Sequence, residues 1–116
     1  MNCKVIPELD HAKVSKLIIV YGFFDGKKQI GKCAVKEYTR GENAGSYYLQ
    51  NVSIDEKYRG QGLCSKFLKC VLKRYSGKTV YLDVLIDNIP AVKCYTSLGF
   101  VEVERGRKTI WMRKGN

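Results

Sequence analysis

The stretch that decides the fold runs Val52-Ser53-Ile54-Asp55-Glu56-Lys57-Tyr58-Arg59-Gly60-Gln61-Gly62-Leu63-Cys64-Ser65. A β-branched segment ends, a short polar loop follows, and a turn with two glycines opens a basic helix. Gly60 and Gly62 allow backbone conformations closed to other residues and let the chain approach a ligand closely. A helix starting here presents unpaired N–H groups and the positive end of its dipole. Together these suit a phosphate group, and Arg59 adds a fixed charge at the mouth. The Gly-Lys-Ser/Thr ending of a Walker A loop is missing. Two glycines, with no acidic residue closing the next strand at the required place, do not make a dinucleotide fingerprint either. The competing reading is a plain glycine turn before an ordinary helix.

Working outward, Ser46 to Ile54 reads as the strand that feeds this turn. Beyond it, Leu63, Cys64, Phe67, Leu68, Val71, Leu72 and Tyr75 recur at three and four residues. That spacing predicts an amphipathic helix over 63–75, with Gly77 placed to end it. Val80 to Ile86 is apolar at nearly every position, as in a strand covered on both faces. Ala91 to Leu98 is a short helix, with Asn88 and Pro90 at its start and Gly99 past its end. Strand, helix, strand in this order predicts a parallel pair. Phe100–Val103 and Thr109–Met112 read as a closing strand pair.

Upstream, Leu17–Phe24 and Gln29–Tyr38 flank Asp25-Gly26, a hairpin signal. In the second strand Ile30, Lys32, Ala34 and Lys36 fall on one side, with Cys33 and Val35 on the other. Cys3–Ile6 is a short strand stopped by Pro7, and Asp10–Lys16 has room for one helical turn. Arg40–Gly45 is turn-rich. The fold class is α/β (α+β): a mixed sheet with a central parallel pair, flanked by helices, in one domain over residues 1–116.

Composition fits this reading. The chain has 116 residues, 45% apolar and 28% charged, which suits one globular domain. No apolar run approaches the roughly 20 residues of a membrane helix. Neither a secretory h-region nor a lipidation signal is present, so no membrane partner is expected. The net charge is +10, with 8 basic against 6 acidic residues up to Asp55 and 13 against 5 after it. Such a field attracts polyanions. Five cysteines, Cys3, Cys33, Cys64, Cys70 and Cys94, are odd in number and lack CxxC spacing. That argues against a disulfide framework or a zinc site and for a reducing, cytoplasmic compartment. Cys64 and Cys70 read as small buried apolar residues.

Arg59-Gly60-Gln61-Gly62-Leu63-Cys64 resembles the Arg/Gln-x-x-Gly-x-Gly/Ala motif of the GCN5-related N-acetyltransferases (GNAT). The flanks agree. Leu49–Ile54 looks like that family's fourth strand, Asn88-x-x-Ala91-x-x-x-Tyr95-x-x-Leu98-Gly99-Phe100 like its second signature region, and Thr109–Lys114 like its last strand. Roughly residues 17–114 fit. Cys64 stands where the family usually has Gly or Ala, and only about ten residues occupy the place of its two N-terminal helices.

The resemblance implies acetyl transfer from acetyl-CoA to an amine, by direct attack in a ternary complex. It places the cofactor on Val52, Ser53, Ile54, Arg59, Gly60, Gln61, Gly62, Leu63, Cys64, Ser65 and Asn88. The amides of Gln61–Ser65 would hold pyrophosphate, and Lys57, Arg59, Lys66 or Lys93 would neutralise the other phosphates. Pantetheine would add to Val52–Ile54 like a strand, and the Ile54 amide would face the thioester oxygen. Tyr95 matches the general acid; its other reading is a core aromatic sharing a helical face with Ala91 and Leu98. Asp83 and Glu37 are the carboxylates weighed as base, and neither is assigned. His11 reads as a surface residue, and no metal site is predicted.

Two alternatives stay open. One is a basic nucleic-acid-binding module using Tyr47, Tyr48 and Tyr58 as exposed aromatics, with Arg105-Gly-Arg-Lys108 as a tight basic patch. The other is a catalytically weak CoA-binding regulatory protein. The acceptor, and whether the chain is a monomer or homodimer, are not set by the sequence.

Overall fold

The computed structural model describes residues 1–6 and 17–115. Seven strands form one mixed sheet: β1 (Asn2–Ile6), β2 (Ile18–Asp25), β3 (Lys28–Glu37), β4 (Tyr47–Ile54), β5 (Val80–Leu85), β6 (Val101–Arg105) and β7 (Thr109–Lys114), in the order β1-β2-β3-β4-β5-β7-β6. Helix α1 (Leu63–Leu72) joins β4 to β5, and α2 (Ile89–Ser97) joins β5 to β6. All neighbouring strands are antiparallel except β4 and β5, which form the parallel pair that the crossover requires. The segment Asp10–Lys16 and His11 lie outside the described residues.

Helix α1 buries Leu63, Phe67, Leu68, Val71 and Leu72, the face set by its three-and-four spacing. It lies on a sheet face carrying Tyr21, Phe23, Cys33, Val35, Leu49, Val80 and Leu82. Phe67 stacks on Phe23 at 4.9 Å. After Leu72 the helix tightens into a 3-10 turn (Lys73–Tyr75) that ends ahead of Gly77, whose φ is +77°. Tyr75 then reaches back to Tyr21, the two hydroxyls hydrogen-bonding at 2.6 Å within the core.

Three expectations need correction. Ile30 is fully buried with Cys33 and Val35 instead of facing away from them. Register breaks between Phe23 and Phe24, and between Lys32 and Ala34, interrupt the alternation from which its side was read. Strand β5 is covered on one face only among the described residues: Val80, Leu82 and Val84 are buried while Asp83 and Leu85 are exposed.

The third correction concerns cysteine. Cys3 and Cys70 form a disulfide across 67 residues of sequence, tying β1 to α1, and three thiols remain free. The partners sit on different elements, so no local spacing announces them. The cysteine pattern therefore carries no argument for a reducing compartment. No helix among the described residues is long and apolar enough to cross a membrane.

Candidate active site

Strands β4 and β5 pair only at Tyr47↔Val80 and Tyr48↔Tyr81. Beyond that point they separate. The cause is local to β4: Asn51 takes φ +56° inside the strand. It falls where the β3–β4 register jumps from Ala34↔Gln50 to Lys32↔Ser53. Asn tolerates this left-handed conformation better than most residues. The resulting bulge turns the end of β4 away from β5 and opens a wedge between them.

The wedge leaves the end of β4 without strand pairing to β5. The Asp55 N–H donates to Ile30 O at 2.7 Å. In an antiparallel ladder the hydrogen-bonding direction alternates, so the N–H and C=O of Ile54 point the other way, toward the wedge. The Ile54 carbonyl accepts from Arg59 Nε at 2.9 Å. Arg59 thus pins the glycine turn to the end of β4. Gly60 and Gly62 take φ +77° and +73°, and a Cβ at either position would meet no heavy atom within 4 Å. Gly62 is the N-cap of α1, whose first turn carries no acidic residue to occupy its free N–H groups.

A cavity of about 580 Å³ fills the wedge. It gathers Val52, Ser53, Ile54, Arg59, Gly60, Gly62, Leu63, Cys64, Ser65, Asn88 and Tyr95, together with Lys93. Of the residues on which the cofactor and the general acid were placed, Gln61 stays off this wall, its amide group donating to Lys57 O at 3.4 Å. Lys57 and Lys66 also lie off it. Tyr58, Pro90, Ala91 and Cys94 also line the cavity, and none of them was given a cofactor or catalytic role from the sequence. Cys94 is visible in retrospect, one residue before Tyr95 on the same short helix. Its Sγ donates to Cys64 Sγ at 3.1 Å. That bond lowers the Cys64 thiol, and with burial it raises the Cys94 thiol. Cys33, beneath them, is pushed to about 12 by burial and then by Cys64.

Asn88 caps α2, its Oδ1 accepting from the Ala91 N–H at 3.3 Å. The cap aims the first turn of α2 so that Tyr95 is buried against Phe100, ring centres 6.0 Å apart. Burial is the main cause that raises the Tyr95 phenol above its ordinary value, and nearby Cys64 adds to it. Tyr95 is thus a core aromatic and a cavity-lining hydroxyl at once.

A second cavity of about 340 Å³ shares Val52, Asn88 and Tyr95 with the first. It opens beside Tyr48, Gln50 and Asp83. Glu37 lines neither cavity. The Tyr48 hydroxyl donates to Asp83 Oδ1, a contact between strands that sequence spacing could not reveal. Tyr47, Tyr48 and Tyr58 are half-buried, not the exposed platform a nucleic-acid reading asked of them. Tyr47 packs on Tyr75 and Tyr48 on Trp111, while Lys28 covers Tyr58. Arg105, at the β6–β7 turn, is paired with Glu102 at 2.7 Å.

The model of the acetyltransferase (GNAT) family matches residues 6–100. The chain belongs to that family. It is 35% identical over 68 residues to a spermine/spermidine N(1)-acetyltransferase of Bacillus subtilis, a match covering 55% of this chain and 45% of the relative. The GNAT chain thus aligns with less than half of that protein's length. Its fold is similar to that of the ribosomal-protein-S18-alanine N-acetyltransferase of Escherichia coli, with TM-score 0.74, 22% identity, and 90% and 72% of the two chains covered. It is also similar to a PaiA N-acetyltransferase of Thermoplasma acidophilum solved with coenzyme A, with TM-score 0.70, 19% identity, and 85% and 61% covered.

Proposed function

We propose that the chain is an acetyl-CoA-dependent N-acetyltransferase that acetylates a primary amine by direct attack in a ternary complex. The observation carrying this reading is the meeting of two cavities at Tyr95. One is walled by the glycine turn and the α1 N-terminus, the other by polar side chains of β4 and β5.

The residues present fit acetyl-CoA. The open space over Gly60 and Gly62 and the free N–H groups of α1 suit pyrophosphate. Arg59 and Lys93 supply positive charge at the rim. The outward-facing edge of Val52–Ile54 suits the amides of a pantetheine arm. When bound, acetyl-CoA supplies a thioester carbonyl for an amine to attack. The Ile54 N–H would donate to an oxygen in the wedge, where charge would develop. As the new C–N bond forms the thioester C–S bond would break, and Tyr95, raised by burial and so keeping its proton, would give that proton to the departing thiolate, serving as an acid and not as a base.

Replacing Tyr95 with Phe tests this. It removes one hydroxyl and keeps the aromatic packing on Phe100. Turnover should fall by about 100-fold or more, with acetyl-CoA affinity retained. Unchanged turnover would remove Tyr95 from the chemistry. Retained binding with no turnover by the unaltered chain, on any amine, would favour the CoA-binding regulatory reading instead. The compartment proposed is the cytoplasm, on the need for acetyl-CoA alone, since the Cys3–Cys70 disulfide does not support a reducing one.

A further inference from the structure

We propose that Asp83 anchors a second positive charge on the acceptor, so that the amine this chain acetylates is a small di- or polyamine. The inference rests on the acetyltransferase reading and concerns the second cavity. In a chain of net charge +10, the single charged side chain lining that cavity, among the described residues, is an acid, Asp83. Arg113 stands opposite Tyr81, two register pairs along from Asp83, and does not line it.

The carboxylate is held in place. The Tyr48 hydroxyl donates to Asp83 Oδ1, leaving Oδ2 and the remaining lone pairs for another donor. Burial, and then that same bond, raise the Tyr48 phenol, so it stays a neutral donor. Tyr48 is itself fixed by Trp111 at 5.8 Å and Tyr38 at 6.3 Å. A carboxylate beside electron-rich ring faces attracts an alkylammonium.

The two ends of the cavity make opposite demands. An ammonium at Asp83 is bound because it keeps its proton. The nitrogen that attacks beside Tyr95 must have lost its own. One nitrogen cannot meet both demands at the same moment, so the acceptor carries two. The cavity, about 340 Å³, is the size of a small-molecule site.

The experiment compares putrescine and spermidine with n-butylamine, at saturating acetyl-CoA, for the full chain and for Asp83→Asn, with products read by mass spectrometry. The full chain should favour the two polyamines in kcat/KM by roughly 10- to 100-fold, the worth of one charge-assisted contact. Asp83→Asn should erase that preference through KM, leaving kcat and acetyl-CoA affinity unchanged. Equal use of all three amines by the full chain would overturn the proposal. So would an equal loss of kcat on all three in Asp83→Asn, which would make Asp83 a proton acceptor instead. Calorimetric titration with spermidine alone reads the anchor without turnover. Binding lost in Asp83→Asn supports it, and no binding to the full chain overturns it. Failure to bind acetyl-CoA would refute the acetyltransferase reading, while the spermidine titration still judges Asp83.

Discussion

Replacing Gly62 with Ala separates the backbone role of the glycine turn from its role in binding. Gly62 sits at φ +73°, and a methyl group there would have no heavy atom within 4 Å; Gly26, in the distant β2–β3 turn, sits at φ +60° with the same freedom. A left-handed conformation costs an L-residue about 1–2 kcal/mol. Loss of unfolded-chain entropy returns about 0.4–1 kcal/mol of that. Each variant should therefore lose on the order of 1 kcal/mol, a fall in Tm of about 4 °C. The two differ only in what the methyl faces. Gly26 lies on no cavity described above, whereas Gly62 lines the cavity where a phosphate would lie against the α1 N–H groups. Losing one hydrogen bond to a charged group costs about 1.5–3 kcal/mol, a weakening of roughly 10- to 100-fold. Thermal unfolding by circular dichroism and calorimetric titration with acetyl-CoA measure the two effects. Gly62→Ala that binds acetyl-CoA as tightly as Gly26→Ala does would refute the placement of the phosphate.

Two further predictions concern cysteine. Cys64, lowered by the bond from Cys94, should be alkylated by iodoacetamide before Cys33, which is buried and pushed to about 12. Its labelling rate should rise with pH and reach half its plateau below the ordinary thiol value, and acetyl-CoA should protect it. Labelling of Cys33 first in the folded protein would contradict the arrangement. The Cys3–Cys70 disulfide closes a loop spanning 67 residues of sequence, worth up to about 4 kcal/mol by chain entropy. Cys3→Ser should unfold at a lower temperature, and dithiothreitol should bring the unaltered chain close to it. A count of five free thiols in the denatured, unreduced protein would show that the bond is not made.

Much of this architecture is legible in the chain because its elements are periodic. Phe67, Leu68, Val71 and Leu72 declare α1, and the strand–helix–strand order dictates the parallel β4–β5 pair. The glycine turn and Asn88 announce themselves by residue type and position. What stays hidden depends on geometry between strands. The bulge at Asn51 makes the wedge, yet a single Asn inside a strand leaves the hydrophobic pattern unbroken. The breaks near Phe24 and Cys33 shift Ile30 to the core side without any change in composition. Val80–Leu85 looks covered on both faces because Tyr81 and Leu85 are apolar, although only alternate side chains are buried. Tyr48 meets Asp83, and Cys3 meets Cys70, across separations no local motif spans. The donor half of the site is thus readable, being backbone geometry on a glycine turn. The acceptor half is built from side chains that only the sheet brings together.

The most direct test is an amide-resolved NMR titration of the labelled protein with acetyl-CoA. The account predicts saturable shifts concentrated at Val52–Ile54, at Gly60–Ser65 and around Asn88 and Tyr95, with β1 and the β2–β3 turn unmoved. Shifts confined instead to the lysine-lined hollow at Lys69, Lys73 and Lys114, or none at millimolar acetyl-CoA, would contradict it.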